Sequence, residues 1–178
     1  DAVAQALQQG QVVGWFQGRA EWGPRALGHR SILADPRPAG MKDTLNAKIK
    51  FRESFRPFAP SVLAEQADAF FDLPATNGHH PARFMLYVAG VKADKREAIQ
   101  AVTHVDGTGR VQTVHREASP LYYRLIERFG AATGIPMIVN TSFNLRGEPI
   151  VNTPREAFST FSKSGMDLLV LGHCLIRK

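Results

Sequence analysis

Hydrophobic and polar positions change period several times along the chain. In 11–18, QVVGWFQG, β-branched and aromatic residues run up to Gly18, which predicts a strand. GPRALGHR follows with a proline just inside a helix start, and SILADP resumes an extended path that stops at Pro36. Met41, Leu45 and Ile49 recur every fourth residue and predict a helix over 41–50. APSVLA is a short apolar strand, EQADAFFDL a helix running into Pro74, and ATNGHHPA (75–82) a polar loop.

In the second half, 83–91 reads as a buried strand, and 103–114 alternates on both sides of Asp106-Gly107 as a β-hairpin does. Ser119 caps a long helix with Leu121, Leu125, Ile126 and Phe129 on one face and Gly134 as its stop. IPMIVNTSFN is a strand leading into a polar turn. Thr153, Pro154 and Gly165 bound another helix, and MDLLVLGHCLI closes the chain as a strand. Strands alternating with helices, plus one hairpin, give an α/β (α+β) class with a mixed sheet and flanking helices. The 178 residues are enough for one domain, expected over 1–178. The chain opens without methionine and is helix-like by Val3, so it is expected to be a piece of a longer protein.

Composition adds a charge argument. Lysine and arginine number 22 against 16 acidic residues, a formal net charge of +6, which calls for an anionic partner: nucleic acid, a membrane surface or a phosphorylated small molecule. No apolar run reaches the roughly 18 to 20 residues of a membrane span, and no signal peptide is visible. Cys174 is the only cysteine, so no intrachain disulfide or thiolate metal cage is possible, and a cytoplasmic location is expected. In its apolar strand Cys174 reads as a buried small hydrophobe. His79 and His80 read as exposed loop residues, and His115 and His173 have no metal-ligand spacing.

Four clusters carry the unusual chemistry. EWGPRALGHRSILADPR holds Arg25, His29, Arg30 and Arg37 among glycines and prolines, and NAKIKFRESFRPFAPSVL holds Lys48, Lys50, Arg52 and Arg56 beside apolar residues. THVDGTGRVQT sets His104 and Arg110 on opposite arms of the predicted hairpin, and NTSFNLRGEPIVNTP groups Asn140, Thr141, Ser142 and Asn144 at a strand end. Arginine forks, lysine point charges and small polar groups together describe an oxyanion pocket. On an extended segment Lys50, Arg52 and Arg56 would share one face, with Phe51 and Phe55 filling the core on the other. The alternative for Arg25 and Arg30 is a solvated face paired with Glu21 and Asp35. Lys48 reads as surface, and Asn140 to Asn144 can be plain turn chemistry.

These four motifs, quoted in this order and spanning about 14–172, resemble the C-terminal domain of the O-carbamoyltransferase family, which includes nodulation-factor, aminoglycoside and cephem carbamoyltransferases. The resemblance implies a YrdC-like twisted sheet around a positive cavity, in which carbamoyl phosphate and ATP, with Mg²⁺, give a carbamoyl-adenylate. It also implies an N-terminal domain with an actin-like ATPase fold, carrying iron, which passes the carbamoyl group to a hydroxyl; nothing in this chain matches that domain. By the same resemblance Lys50 and Arg52 correspond to a Lys-x-Arg motif directed at phosphates and acyl group, and Ser142 and Asn144 to a Ser-x-Asn turn with Asn140 just before it. Arg30, Arg56 and Arg110 fall in the family's arginine motifs and are expected to hold phosphate. Lys50, Arg52 and Arg110 are the expected catalytic set, with no protein nucleophile needed.

Two other classes compete. A basic YrdC-like module binding tRNA without carbamoyl transfer would also be positive, but the aromatics here follow apolar patterns and do not interleave with basic residues as a stacking surface requires. A docking domain would not bind ATP. The expected partners are therefore carbamoyl phosphate, ATP and the N-terminal domain, without nucleic acid or membrane.

Overall fold

The computed structural model describes residues 1–74 and 80–178. Strands β1 (Val13–Phe16), β2 (Arg30–Ala34), β3 (Ala59–Leu63), β4 (Tyr87–Gly90), β5 (Thr108–Val114), β6 (Met137–Ser142), β7 (Leu168–Leu171) and β8 (Cys174–Arg177) form one mixed sheet, in the order β4-β5-β3-β6-β2-β1-β7-β8. The pairs β1/β7 and β3/β5 are parallel and the others antiparallel. This is the mixed α/β architecture expected.

Successive strand residues point to opposite faces, and here both faces are apolar. Trp15, Leu33, Leu63, Val114 and Ile138 meet helices α1 (Ala2–Gln8) and α5 (Pro120–Thr133) through Leu7, Tyr122, Ile126 and Phe129. Phe16, Ile32, Val62, Val111 and Val139 face the other way, against Met41, Leu45, Ile49 and Phe161. Each such fully buried aliphatic or aromatic side chain contributes about 1.5–3 kcal/mol. A helix α6 (Pro154–Lys163) closes that second layer, started by a capping box in which Thr153 accepts from Glu156 N–H while the Glu156 carboxylate accepts from Thr153 N–H.

Several expected elements form differently. No helix follows β1: Glu21 Oε1 accepts from the N–H groups of Leu27 (2.8 Å) and His29 (2.7 Å), and Gly23 and Gly28 take φ of 101° and 111°. One carboxylate thus captures N–H groups that a helix would have used. The 41–50 helix divides into α2 (Gly40–Thr44) and a π-helical turn Leu45–Lys50, although Met41, Leu45 and Ile49 are buried as their spacing requires. Phe51 then turns left-handed (φ 48°). Phe51 and Phe55 are exposed, so the idea that they fill the core behind one extended cationic face is wrong.

The 65–73 segment is shorter in helix than expected, a 3-10 turn Ala64–Gln66 and α3 (Ala67–Phe70). The polar loop read over 75–82 lies, for 75–79 and hence His79, outside the described residues; the next turn, α4, is His80–Arg83. The buried strand expected over 83–91 is an edge strand, with Phe84, Leu86 and Val88 exposed and Met85 left-handed (φ 59°). Asp106-Gly107 does form a tight turn, His104 N–H to Thr108 C=O at 2.8 Å, but Ala93–Val102 is wound as 3-10 helix, so β5 has no hairpin partner there and pairs with β4 and β3. In α5 Leu125, Ile126 and Phe129 are buried while Leu121 is exposed. The last strand folds back at Gly172 into β7 and β8, which leaves Cys174 exposed on the edge strand. Among the described residues no helix is long and apolar enough to cross a membrane.

Candidate functional site: a cationic cleft beside the central strands

The π-helical turn ends where the chain must reverse toward β3, and buried Asn46 organises that reversal. Its Nδ2 donates to the Ser54 and Arg56 carbonyls (3.2 and 3.0 Å), and its Oδ1 accepts from Arg52 Nε (2.8 Å). The Arg52 guanidinium also lies 4.7 Å from the centre of the Phe58 ring. A planar fork is thereby held on one side while its other edge stays available.

Lys50 projects from the same turn to the end of β6. Its Nζ donates to the carbonyl oxygens of Ser142 (2.5 Å) and Asn144 (3.0 Å) and to Asn144 Oδ1 (2.9 Å). Ser142 Oγ donates to Asn144 Oδ1 (2.7 Å), Asn144 Nδ2 to the Glu148 carbonyl (2.8 Å), and the Glu148 carboxylate accepts from Leu145 N–H and Thr160 Oγ. The Ser-x-Asn turn is therefore a closed network that seats one buried amine. Lys50, Arg52, Arg56, Ser142, Asn144 and Arg146 wall a cleft of about 250 Å³.

Arg110 and Asn140 enter from the sheet. Arg110 on β5 is half-buried, and its charge is felt by neighbouring Arg25 and Arg52. Asn140, fully buried, donates to the Ala26 carbonyl (3.1 Å) and to Gln112 Oε1 (2.8 Å), and so fastens the Glu21–Gly28 loop over the sheet. The first and third clusters meet through Arg25 and Arg110, and the second and fourth meet in the cleft. Arg30 lies apart: its guanidinium rests 3.5 Å over the Phe16 ring and donates to the carbonyls of Gln17, Gly18, His29 and Asn152. Neither Glu21 nor Asp35 takes the salt bridge considered for Arg25 and Arg30. Glu21 binds loop backbone, and Asp35 pairs with Arg37 at 2.6 Å.

Cations this close, and this far from water, disturb one another. Burial, then the Arg52 charge, pushes Lys50 down to about 7, with Glu148 opposing. Arg52 and Arg110 are lowered for the same first reason, burial, and then by neighbouring arginines. Such a row of mutually repelling cations is relieved by an anion. Periodicity does not reveal Asn46 or Arg146, since each takes its place through long-range packing, whereas Arg25 is legible as a member of the first cluster without a role of its own.

Magnesium finds no ligand set of its own here. The carboxylate on the cleft wall, Glu53, is paired with Arg56 at 3.1 Å, and among the described residues no three His, Cys, Asp or Glu side chains converge.

Comparison with known proteins fits this geometry. The family model for the carbamoyltransferase C-terminus matches residues 4–178. The chain belongs to that family. Among relatives of this carbamoyltransferase C-terminal chain, nodulation protein NolNO of Sinorhizobium fredii is 52% identical over 176 residues, 99% of this chain and 26% of that protein. The 3'-hydroxymethylcephem-O-carbamoyltransferase of Amycolatopsis lactamdurans is 39% identical over 172 residues, 97% of this chain and 32% of that protein. The chain thus spans about a quarter to a third of the curated relatives it matches. In fold it resembles full-length HypF in the phosphate- and nucleotide-bound form (TM-score 0.67, 19% identity, 97% of this chain and 24% of that one). T. kodakarensis HypF is similar (TM-score 0.65, 18% identity, 99% of this chain and 20% of that one). The fold is the YrdC-like mixed sheet expected.

Proposed function

We propose that the cleft binds carbamoyl phosphate and ATP and joins them into a carbamoyl-adenylate, which a preceding N-terminal domain of the full-length protein delivers to a hydroxyl acceptor. The observation that carries this reading is the meeting of Lys50, Arg52, Arg56 and Arg146 with the Ser142–Asn144 turn in one cleft of a carbamoyltransferase chain. Water adds to carbamoyl phosphate to release phosphate and carbamate; a carbamate oxygen then attacks the α-phosphorus of ATP, and pyrophosphate leaves. Negative charge builds on phosphoryl oxygens at both steps. Fixed guanidinium and ammonium groups in a partly dry cleft stabilise that charge without reorganising.

The roles follow from placement. Arg52, held by Asn46, and Arg56 offer forks to the phosphates, and Lys50 is a point charge whose proton is retained more firmly once an anion sits beside it. Arg110, near Arg25 and Arg52, extends the cationic row toward the sheet. Calorimetric titration with ATP and with carbamoyl phosphate tests the proposal. Saturable one-to-one binding of both supports it, and binding of neither, with RNA bound in a steeply salt-dependent way, overturns it in favour of a nucleic-acid module.

A further inference from the structure

The layer formed by α1 and α5 stops short of the β8 edge of the sheet. Trp15, Val170 and Leu175 stand in register across β1, β7 and β8, on the face that these two helices cover. Their exposure climbs along that row, 4%, 6% and 39%, as the cover runs out. On the opposite face Leu169 and Ile176 pack against the other apolar layer. One face of β7 and β8 is finished and the other is open.

The opening is a groove of about 430 Å³. Its floor is that apolar row, and Leu121 and Leu125 of α5 form one wall. The start of α1 at Asp1 and the turn at Gly172 and His173 close it. Leu121, whose spacing along α5 predicts burial, is 49% exposed because no other described residue covers it there.

Two arginines stand over the apolar floor, one helical turn apart. Arg128 meets the Asp1 carboxylate at 3.5 Å, and Arg124 has no ion pair among the described residues. With His173 beside them, the rim is short of negative charge. It fits an occupant that is apolar on one side and carries carboxylates where the arginines stand.

The position of Asp1 says where such an occupant comes from. Asp1 lies in the groove wall, so residues joined ahead of it start beside the apolar floor. In the longer relatives the greater part of the polypeptide precedes the matched C-terminal region. A tethered segment needs little affinity of its own, because its effective concentration at the groove is on the order of millimolar.

We propose that the groove seats the segment leading into Asp1 in the full-length protein, an amphipathic stretch whose apolar side covers Leu121, Val170 and Leu175 and whose carboxylates pair with Arg124 and Arg128. The groove shares no residue with the cationic cleft. Its consequence is a fixed joint between the N-terminal domain and this one in place of a free linker.

Carbodiimide coupling of full-length protein carrying Arg124→Lys tests it, since the reagent joins an amine only to a carboxylate in contact with it. Arg124 is exposed, so the substitution keeps both charge and fold. Peptide mass spectrometry is expected to find the introduced amine joined to an acidic residue within about twenty positions ahead of Asp1, room for a short connection and one helix. Leu121→Ser together with Leu175→Ser, both at exposed positions, should cut the yield of that link several-fold. Coupling of Lys95 to Asp94, 2.9 Å away, reports that the reagent worked. Coupling of the introduced amine only within 1–178, or no coupling of it, overturns the proposal, as does a yield that ignores the two serine substitutions. A link between molecules, seen by mixing labelled and unlabelled protein, overturns it in favour of a second copy. None of these outcomes changes the expected binding of ATP by the cleft, which calorimetry reads separately.

Discussion

Lys50 and Asn144, 94 residues apart, are joined twice, through the Asn144 carbonyl at 3.0 Å and its Oδ1 at 2.9 Å. The amine of the π-helical turn therefore completes the hydrogen bonding of the β6 turn and ties the two segments together. Lys50→Met should take its donor from the Asn144 carbonyl and leave the Ser142 carbonyl with the Asn144 N–H alone, at about 1–3 kcal/mol for an acceptor left unpaired. Urea unfolding of the variant, followed by far-UV circular dichroism, measures that loss.

If the cleft takes an anion as proposed, the same amine should make that binding pH-dependent. Between about 7 and the ordinary lysine value, an unfolded chain keeps a proton that folded Lys50 has given up. More protons in the unfolded state means that stability rises with pH across that window, and below 7, where both states are protonated, this dependence vanishes. A bound anion restores the proton. Sulfate, whose charge is constant over the range, should bind more weakly as pH rises from 7 to 9, by up to about tenfold per unit. Calorimetry in two buffers of different ionisation enthalpy should register proton uptake at pH 8, and Lys50→Met should abolish it.

Arg52 is a fork and Lys48 is an exposed charge, and substitutions separate the two. Arg52→Lys keeps the charge but loses the hold on Asn46 Oδ1 and the stacking over Phe58. ATP affinity should fall about tenfold to a hundredfold, the worth of a charge-assisted contact of roughly 1.5–3 kcal/mol. Lys48→Ala should change it by less than about threefold. Equal effects of both, each erased by salt, would mean a diffuse positive surface.

Gly28 shows what the loop over the sheet requires. Its φ is 111°, and a Cβ there would stand 2.3 Å from Tyr122 Cδ1, an atom of a fully buried ring. Gly28→Ala should therefore cost about 1–3 kcal/mol from overpacking, with backbone strain added. Chemical denaturation checks it. Displacement of this loop should also weaken ATP binding, because Arg25 rides on it.

Much of this was legible before any coordinates, for local reasons. The Met41, Leu45 and Ile49 spacing, the Thr153-Pro154 start of α6 and the Asp106-Gly107 turn each act within a few residues, so their chemistry is written in adjacent letters. The Lys-x-Arg and Ser-x-Asn motifs were recognised by resemblance, and the structure sets them face to face. The loop after β1 was misread because Glu21 reaches forward six and eight residues to N–H groups that local pattern assigns to a helix. Arg30 sits away from the cleft since four carbonyls and the Phe16 ring surround it, contacts that no spacing rule contains. Phe51 and Phe55 defied burial because the π-helical turn and a left-handed residue replaced the extended segment that would have alternated their faces.

The most direct test of the central claim is ATP–pyrophosphate exchange, which reads formation of an adenylate in the cleft walled by Lys50, Arg52 and Ser142. With ATP, Mg²⁺ and labelled pyrophosphate, label should enter ATP when carbamoyl phosphate is supplied and not when it is omitted. Arg52→Lys should slow that exchange about tenfold to a hundredfold. Exchange that is absent with carbamoyl phosphate present, in a protein shown to bind both substrates, would contradict adenylate formation and leave the cleft as a binding site alone.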